Sequence, residues 1–504
     1  MIEAMFEGLT GIFVWPAFGL LLLGILIGWF VGLLPGIGSI VALALMIPFT
    51  FNMSPIEAFS FLLGMFVVTT NAGEITAILF GVPGEATTAA TILDGHPMTK
   101  KGEAGRAMGA SLMSSIIGAI IGAATLAALI PVVRPLVLSF AAPELFALTI
   151  LGVTFIASLS GDNLFKGVLM AGFGFMLTAV GQDGQSGVLR YTFGQLYLWD
   201  GIGLIPVAVG MFAVPEIMDL FVRGTSLAEA KVGKLGGVME GVKDAFRHIG
   251  LVVRAGAMSA FIGLIPGLGG AVAQWVTYGH AVQSAKDKSM FGHGDVRGVL
   301  APGASSNAKE GGALVPTVAF GVPGSLAMAI LLGAFLIVGL QPGPNMLEEN
   351  LHVTWSLVFI VLFATFISCG LAFLFLGQMV KITYVKGTIL IPFLTLLIWM
   401  GAYTATNNFG DLVSVFLFGM LGFILVKLDW PRPPLILGLV LGGLTEKYLF
   451  IATQRYGIML FARPVVIVVL ILTLAALVYS VMQAKSMRKE RLRREQVQRE
   501  ALDA

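Results

Sequence analysis

Charge is what this sequence has least of. Of its 504 residues only 12% are Asp, Glu, Lys or Arg, while 57% are hydrophobic. A water-soluble domain carries roughly 25% charged residues, so the composition reads as an integral membrane protein. No stretch between apolar segments is long enough to form a soluble catalytic domain. Cysteine is nearly absent too: Cys369, in an apolar run, is the single one, which excludes a disulfide framework and a cysteine metal site. The first ten residues hold Glu3 and Glu7 and no basic residue. They lack the positive flank of a cleavable signal peptide, and a first membrane helix is expected from about residue 11. No Gly-x-x-x-x-Gly-Lys-Ser/Thr occurs, so the chain has no P-loop for ATP. His-Glu-x-x-His and Gly-x-Ser-x-Gly are missing as well, which leaves protease and lipase readings without a motif. The expectation is a protein that is not an enzyme and carries no cofactor.

What the chain has in plenty is glycine, 64 residues with 22 prolines, and part of it is organised as a repeat. Leu34-Pro35-Gly36-Ile37-Gly38 returns as Ile265-Pro266-Gly267-Leu268-Gly269. Thr69-Thr70-Asn71-Ala72-Gly73-Glu74 returns as Ser305-Ser306-Asn307-Ala308-Lys309-Glu310. Phe80-Gly81-Val82-Pro83-Gly84 returns as Phe320-Gly321-Val322-Pro323-Gly324. Three motifs in one order imply an internal duplication. Proline removes a backbone donor and glycine permits positive φ, so helices break at these places. Broken backbone survives in a bilayer only where protein or a water-filled cavity satisfies it. Each break is therefore a hairpin dipping into the membrane or a discontinuous crossing helix. Basic residues flank the second copy on both sides (Arg247 and Arg254, then Lys286, Lys288 and Arg297), which favours the hairpin there.

Loop charge orients the chain. Only Glu3 and Glu7 precede the first copy, whereas a basic loop at 223–254 precedes the second. Lys100, Lys101 and Arg106 follow the first copy, whereas Glu348 and Glu349 follow the second. The sign swaps at both ends, so the two copies are expected to be inserted upside down relative to each other. The fold expected is thus an all-α polytopic membrane protein with an inverted internal repeat and re-entrant hairpins or broken helices. Its units are a first repeat core at 1–106, connecting transmembrane helices at 107–222, and a cytoplasmic loop at 223–254. A second repeat core at 255–352, C-terminal transmembrane helices at 353–483 and a basic tail at 484–504 complete it. The N-terminus is expected in the periplasm and the tail in the cytoplasm, although Lys447, Arg455 and Arg463 put positive charge on one outer loop.

Inverted repeats with broken helices build secondary transporters, with the site near the midplane. Free N–H groups at a half-helix start suit a carboxylate, and free carbonyls at a half-helix end suit Na⁺. Pro35, Gly36 and Gly38, Pro266, Gly267 and Gly269, Val82, Pro83 and Gly84, and Val322, Pro323 and Gly324 are therefore the candidate substrate-binding positions. Each could instead be a packing kink. Thr69, Thr70, Asn71 and Glu74 with Ser305, Ser306, Asn307 and Glu310 are the candidate ion-binding set, for a possible Na⁺. Intramembrane acids are functional candidates by default. For the hydroxyl and amide residues the plainer alternative is helix capping, and capping-box spacing offers the same for the acids. Lys309 joins the substrate set as a cation present in one copy only, with internal pairing to Glu310 or Glu85 as its alternative. Asp94-Gly95-His96-Pro97 reads as a polar turn. Tyr191, Tyr197 and Trp199 read as an interfacial aromatic belt. The basic tail suits anionic lipid rather than nucleic acid.

These motifs resemble the large membrane subunit of the tripartite tricarboxylate transporter family (TctA-like), most clearly over residues 18–140 and in order to about residue 480. The resemblance implies binding-protein-dependent uptake of an organic di- or tricarboxylate across a bacterial inner membrane, coupled to Na⁺ or H⁺. It also implies two partners, a small four-helix membrane subunit and a periplasmic solute-binding protein. A channel or a carboxylate-independent solute transporter with re-entrant loops is the alternative, and a membrane enzyme a weaker one.

Overall fold

The computed structural model describes residues 1–34, 38–158, 164–223, 235–266, 269–382, 387–478 and 481–482. The first repeat starts with α1 (Ile2–Phe13), joined through a 66° bend to α2 (Ala17–Gly32). After the Pro-Gly break come α3 (Gly38–Met46) and a 3₁₀ turn, Ile47–Thr50. The long helix α4 (Pro55–Phe80) follows. Its start is written locally: Ser54 and Glu57 form a capping box around Pro55. Its end is equally local, because Gly81 takes φ +66° and closes the last turn in the left-handed conformation. A 3₁₀ segment (Ala86–Thr91), α5 (Ile92–Lys100) and α6 (Ala104–Leu138) complete the repeat.

A second group of helices comprises α7 (Ala142–Ser158), α8 (Leu164–Thr178), α9 (Leu204–Ala208) and α10 (Val214–Arg223), with a π-helical turn at Val209–Ala213 between the last two. The second repeat then runs through α11 (Val238–Arg247), α12 (Ile249–Leu264), α13 (Gly269–Ser284), α14 (Arg297–Phe320), α15 (Leu326–Ile337), α16 (Pro344–Leu347) and α17 (Leu351–Ile382). Like α4, α14 ends in a left-handed glycine, Gly321 with φ +66°. The remainder is α18 (Gly387–Thr406), α19 (Phe409–Lys427), α20 (Pro433–Tyr456) and α21 (Pro464–Val478). A two-stranded ribbon pairs Gly181 with Arg190 in the loop before α9.

Contacts settle the direction of each helix. Gly24, Gly28 and Gly32 lie against Phe61, Met65 and Thr69, so α2 and α4 run parallel at the close approach that small residues permit. The chain must turn back between them, and α3 with its 3₁₀ turn does so. In the second copy Ser259 bonds Ser305 and Gly263 meets Lys309, so α12 and α14 are parallel and α13 makes the return. In each copy the middle helix, α3 or α13, is therefore the returning arm of a hairpin. Ser306 bonds Glu74 while Asn307 bonds Asn71, which sets α14 antiparallel to α4. Gly118 meets Ala304 and Gly122 meets Ala308, so α6 is parallel to α14. With α4 and α14 opposed, the two copies are inverted.

The copies also exchange helices. The opening helix of each packs on the closing helix of the other, α1 on α17 and α11 on α6. The peripheral helices follow the same rule: α20 packs on α7 and α8, and α10 on α18 and α19. Among the described residues, five helices are long and apolar enough to cross a membrane, or seven when each bent pair counts as one span.

Several expectations change. The first helix begins at Ile2 rather than near residue 11. Asp94-Gly95-His96-Pro97 is not a turn but the interior of α5, because Asp94 is held by distant groups described below. The halves flanking the second break are sixteen residues each rather than about eleven. Of the 223–254 loop, residues 224–234 lie outside the described residues, and 238–247 with 249–254 are helical. The middle motif is out of register with the packing: Gly28 is to Met65 as Ser259 is to Ser305. Asn71 precedes Phe80 by nine residues but Asn307 precedes Phe320 by thirteen. The extra four residues are one helical turn, so the two motifs keep one face while sitting a turn apart along their helices. Of the basic residues on the ambiguous outer loop, Arg463 is paired with Glu144, and Lys447 faces the Gln341 amide.

Candidate functional site

Where α4 and α14 cross, four helices bring polar side chains together in an apolar interior. Asn307 Nδ2 donates toward Asn71 Oδ1 at 3.0 Å, Ser115 Oγ at 3.0 Å and Thr365 Oγ1 at 3.1 Å. Ser115 Oγ donates to Asn71 Oδ1 at 2.8 Å, and Asn71 Nδ2 faces Cys369 Sγ. All are buried. Two of these helices, α4 and α6, come from the first copy and two, α14 and α17, from the second, so the cluster fastens the copies to each other. Thr70, Asn71, Ser306 and Asn307 lie in the middle of their helices, where intrahelical bonds satisfy the backbone, and this removes the capping alternative.

One turn along α4, Glu74 Oε1 accepts from Gln274 Nε2 at 2.7 Å and from Ser306 Oγ at 2.8 Å. Its partners are neutral. Glu310, the matching acid, is ion-paired with the adjacent Lys309, and the pair is buried. Lys309 Nζ also lies against Gly270, where a Cβ would come within 2.4 Å of it, so it reaches the start of α13. Of the two pairings expected for Lys309, the one with Glu310 is present.

The two hairpin tips differ. At the first, Glu85 accepts from the Ser39 backbone N–H at 3.2 Å, from Ser39 Oγ at 2.5 Å and from Thr70 Oγ1 at 2.8 Å, and Thr87 also donates to it. The chain's own carboxylate thus occupies the start of α3, where partial positive charge collects. At the second, the residue following Pro323-Gly324 is Ser325, which caps its own helix by accepting from Met328 N. Gly38 and Gly269 open their helices with φ of +61° and +68°, a conformation that needs glycine. Val82 is exposed while Val322 is buried in a cluster with Ala147, Leu148 and Val466.

The candidate set therefore divides. Its bonds fall into three groups, Asn71 and Asn307 with Ser115 and Thr365, Glu74 and Ser306 with Gln274, and Thr70 with Glu85, while Glu310 pairs with Lys309. Thr69 bonds back to Met65 O of its own helix, and Ser305 bonds Ser259; neither joins these groups. Gly84 packs on Gly73, and Gly324 on Ala313, so the Val-Pro-Gly segments fold back along α4 and α14. Pro266 sits at the end of α12. Pro35, Gly36 and Gly267 lie outside the described residues. Sequence reasoning missed Gln274, Ser115, Thr365 and the clasp role of Glu85. Only Gln274 left a trace, as an amide among the small and apolar residues that open α13. His96 packs its ring on Gly81, and its Nδ1 meets no hydrogen-bond partner among the described residues.

A second polar feature closes one end. Asp94 Oδ1 accepts from the backbone N–H groups of Gly292, Gly294 and Asp295 at 2.8, 2.9 and 2.9 Å, while Tyr278 Oη donates to Oδ2 at 3.0 Å. It fastens the loop between α13 and α14 to the first copy. In that loop the Ser289 backbone and hydroxyl hold Asp287 below the usual carboxylate range. Among the described residues no three His, Cys, Asp or Glu side chains gather as around a transition metal. The donors present, carboxylate, amide and hydroxyl oxygens, are those of a hard cation.

Because Asn71 and Asn307 bond each other across the copies, Asn71→Ala and Asn307→Ala should each cost about 1–3 kcal/mol of stability, and the double variant less than the two together. Independent ion ligands would instead raise the half-saturating Na⁺ concentration with unchanged melting temperatures. Both quantities, measured on the two singles and the double, separate these roles.

Residues 18–437 match the family model described as the tripartite tricarboxylate transporter TctA family. An uncharacterized 52.8 kDa protein in the TAR-I ttuC′ 3′ region of Agrobacterium vitis is 30% identical over 471 residues, 93% of this chain and 94% of that protein. An uncharacterized protein in the TAR-II ttuC′ 3′ region of the same organism is 28% identical over 190 residues, 38% of this chain and 78% of that one. No solved structure matches.

Proposed function

Since the chain belongs to the tripartite tricarboxylate transporter TctA family, we propose that it is the membrane subunit that carries an organic carboxylate inward by Na⁺- or H⁺-coupled symport. A periplasmic solute-binding protein delivers the substrate, and a small four-helix membrane subunit completes the complex. The observation that carries this reading is the buried polar network between two inverted copies, at the level of their hairpin tips, the architecture in which secondary transporters place their sites. A carboxylate substrate meets two unlike helix starts. That of α3 is already filled by Glu85, whereas that of α13 has Lys309 beside it, which makes the second tip the better anion end. The network is closed on all sides by α4, α6, α14 and α17, which favours a carrier that rearranges over a channel with a standing path. Loop charge supports an inner-membrane orientation with the N-terminus periplasmic and the C-terminus cytoplasmic.

Uptake reconstituted from the three components should collapse when the Na⁺ and proton gradients are both dissipated. Full accumulation with neither gradient present would reject symport, and uptake undiminished by omitting the binding protein would reject the delivery step.

A further inference from the structure

Resting on the symport reading, we infer that the coupling ion is Na⁺ and that it binds at Glu74, in a site completed by Gln274, Ser306 and Thr91. The three acidic side chains around the network are not alike. Glu310 is neutralised by Lys309. Glu85 is only half-buried and accepts from Ser39, Thr70 and Thr87. Glu74 is 1% exposed and has only neutral partners. Gln274 Nε2 and Ser306 Oγ both donate to its Oε1, and the Thr91 hydroxyl lies against the carboxyl group.

The bonds on Oε1 leave other oxygens without donors. Glu74 Oε2 and Gln274 Oε1 are buried and meet none, and Thr91 Oγ1 has no partner of good hydrogen-bond geometry. A buried carboxylate without a counter-charge is costly, and so is each buried acceptor without a donor. One cation held between these oxygens removes both penalties, since carboxylate, amide and hydroxyl oxygens together suit a small, hard, dehydrated ion. A proton on Oε2 joins the carboxyl group to one further oxygen only, and the Thr91 hydroxyl carries its own proton, whereas Na⁺ engages carboxylate, amide and hydroxyl oxygens together. Glu74 and Thr91 belong to the first copy, Gln274 and Ser306 to the second. Gln274 is carried by the returning arm of the second hairpin, next to the α13 start where Lys309 sits. Ion binding would therefore pin that hairpin to α4 and shape the anion end beside it, which is the linkage a symporter needs.

The test is equilibrium binding of radioactive Na⁺ to the purified chain in a choline buffer, with neither substrate nor partner present. Wild type should bind saturably at one site. Glu74→Gln should abolish that binding. Thr91→Val and Gln274→Leu, which keep size and fold, should each weaken it about five- to hundredfold, the loss of one ligand. Glu74→Asp, which keeps the charge but withdraws the carboxylate, should weaken it as well and covers the case in which Glu74→Gln fails to fold. Absence of saturable Na⁺ binding in wild type overturns the site, as does wild-type affinity in Thr91→Val, Gln274→Leu and Glu74→Asp together. The site and the transport reading fail separately. Specific Na⁺ binding lost in these variants, with no Na⁺-driven uptake by the three-component system, rejects the transport reading and leaves the site standing. Na⁺-driven uptake by variants that still bind Na⁺ normally rejects the site alone.

Discussion

Replacing Lys309 by methionine is expected to lower the stability of the purified protein by about 3–5 kcal/mol, the cost of leaving one member of a buried ion pair uncompensated. Lys309 and Glu310 side chains are 6% and 1% exposed, and the ammonium lies 6.0 Å from the Phe66 ring, so water has little access to screen the remaining carboxylate. Lys309→Met with Glu310→Gln, which removes both charges, should recover most of that loss. Melting temperatures of the single and double variants in one detergent measure the difference. An anion ligand with no structural duty behaves otherwise: Lys309→Met would melt like wild type while carboxylate uptake lost affinity. Equal melting of wild type and the single variant would therefore reject the pair as a stabilising element and return Lys309 to the substrate. A weakened uptake in the double variant, once stability is restored, would show that the ammonium also serves the anion end at α13.

Asp94→Ala is expected to release the loop between α13 and α14. One carboxylate accepts three backbone N–H groups there and a tyrosine hydroxyl, and hydrogen bonds to a charged group contribute about 1.5–3 kcal/mol. Local opening should become about ten- to hundredfold more frequent, since 1.4 kcal/mol is tenfold. Lys286 and Lys288 stand exposed in this loop, and trypsin cleavage after them reports its opening. Asp94→Asn, which keeps an acceptor oxygen but loses the charge, should fall between. If trypsin cuts Asp94→Ala no faster than wild type, the clasp holds nothing. Because the loop precedes α14 and follows the hairpin arm that carries Gln274, its release should also alter the uptake rate more than the half-saturating substrate concentration.

The membrane class, the duplication, the helix breaks and the inversion were all legible in the chain, and for one reason. Each rests on a property that acts within a few residues: apolar runs of bilayer length, a proline that cannot donate, a glycine that accepts positive φ, and lysines and arginines beside the spans. Ser54, Pro55 and Glu57 start α4, and Gly81 ends it, without help from the rest of the fold. What could not be read are the pairings. Asp94 looked like part of a turn because its acceptor role depends on N–H groups 198 to 201 residues away. Glu74 and Glu310 stand in matching motifs, yet one is ion-paired and the other has only neutral partners, a difference set by Gln274 on the returning arm and by a lysine where the first copy has Gly73. The shared Thr/Ser-Asn pattern suggested equivalent ligands, but helix packing places the two asparagines a turn apart and against each other. Which buried oxygens are left without donors follows from how two opposed copies interlock, and no local pattern encodes that.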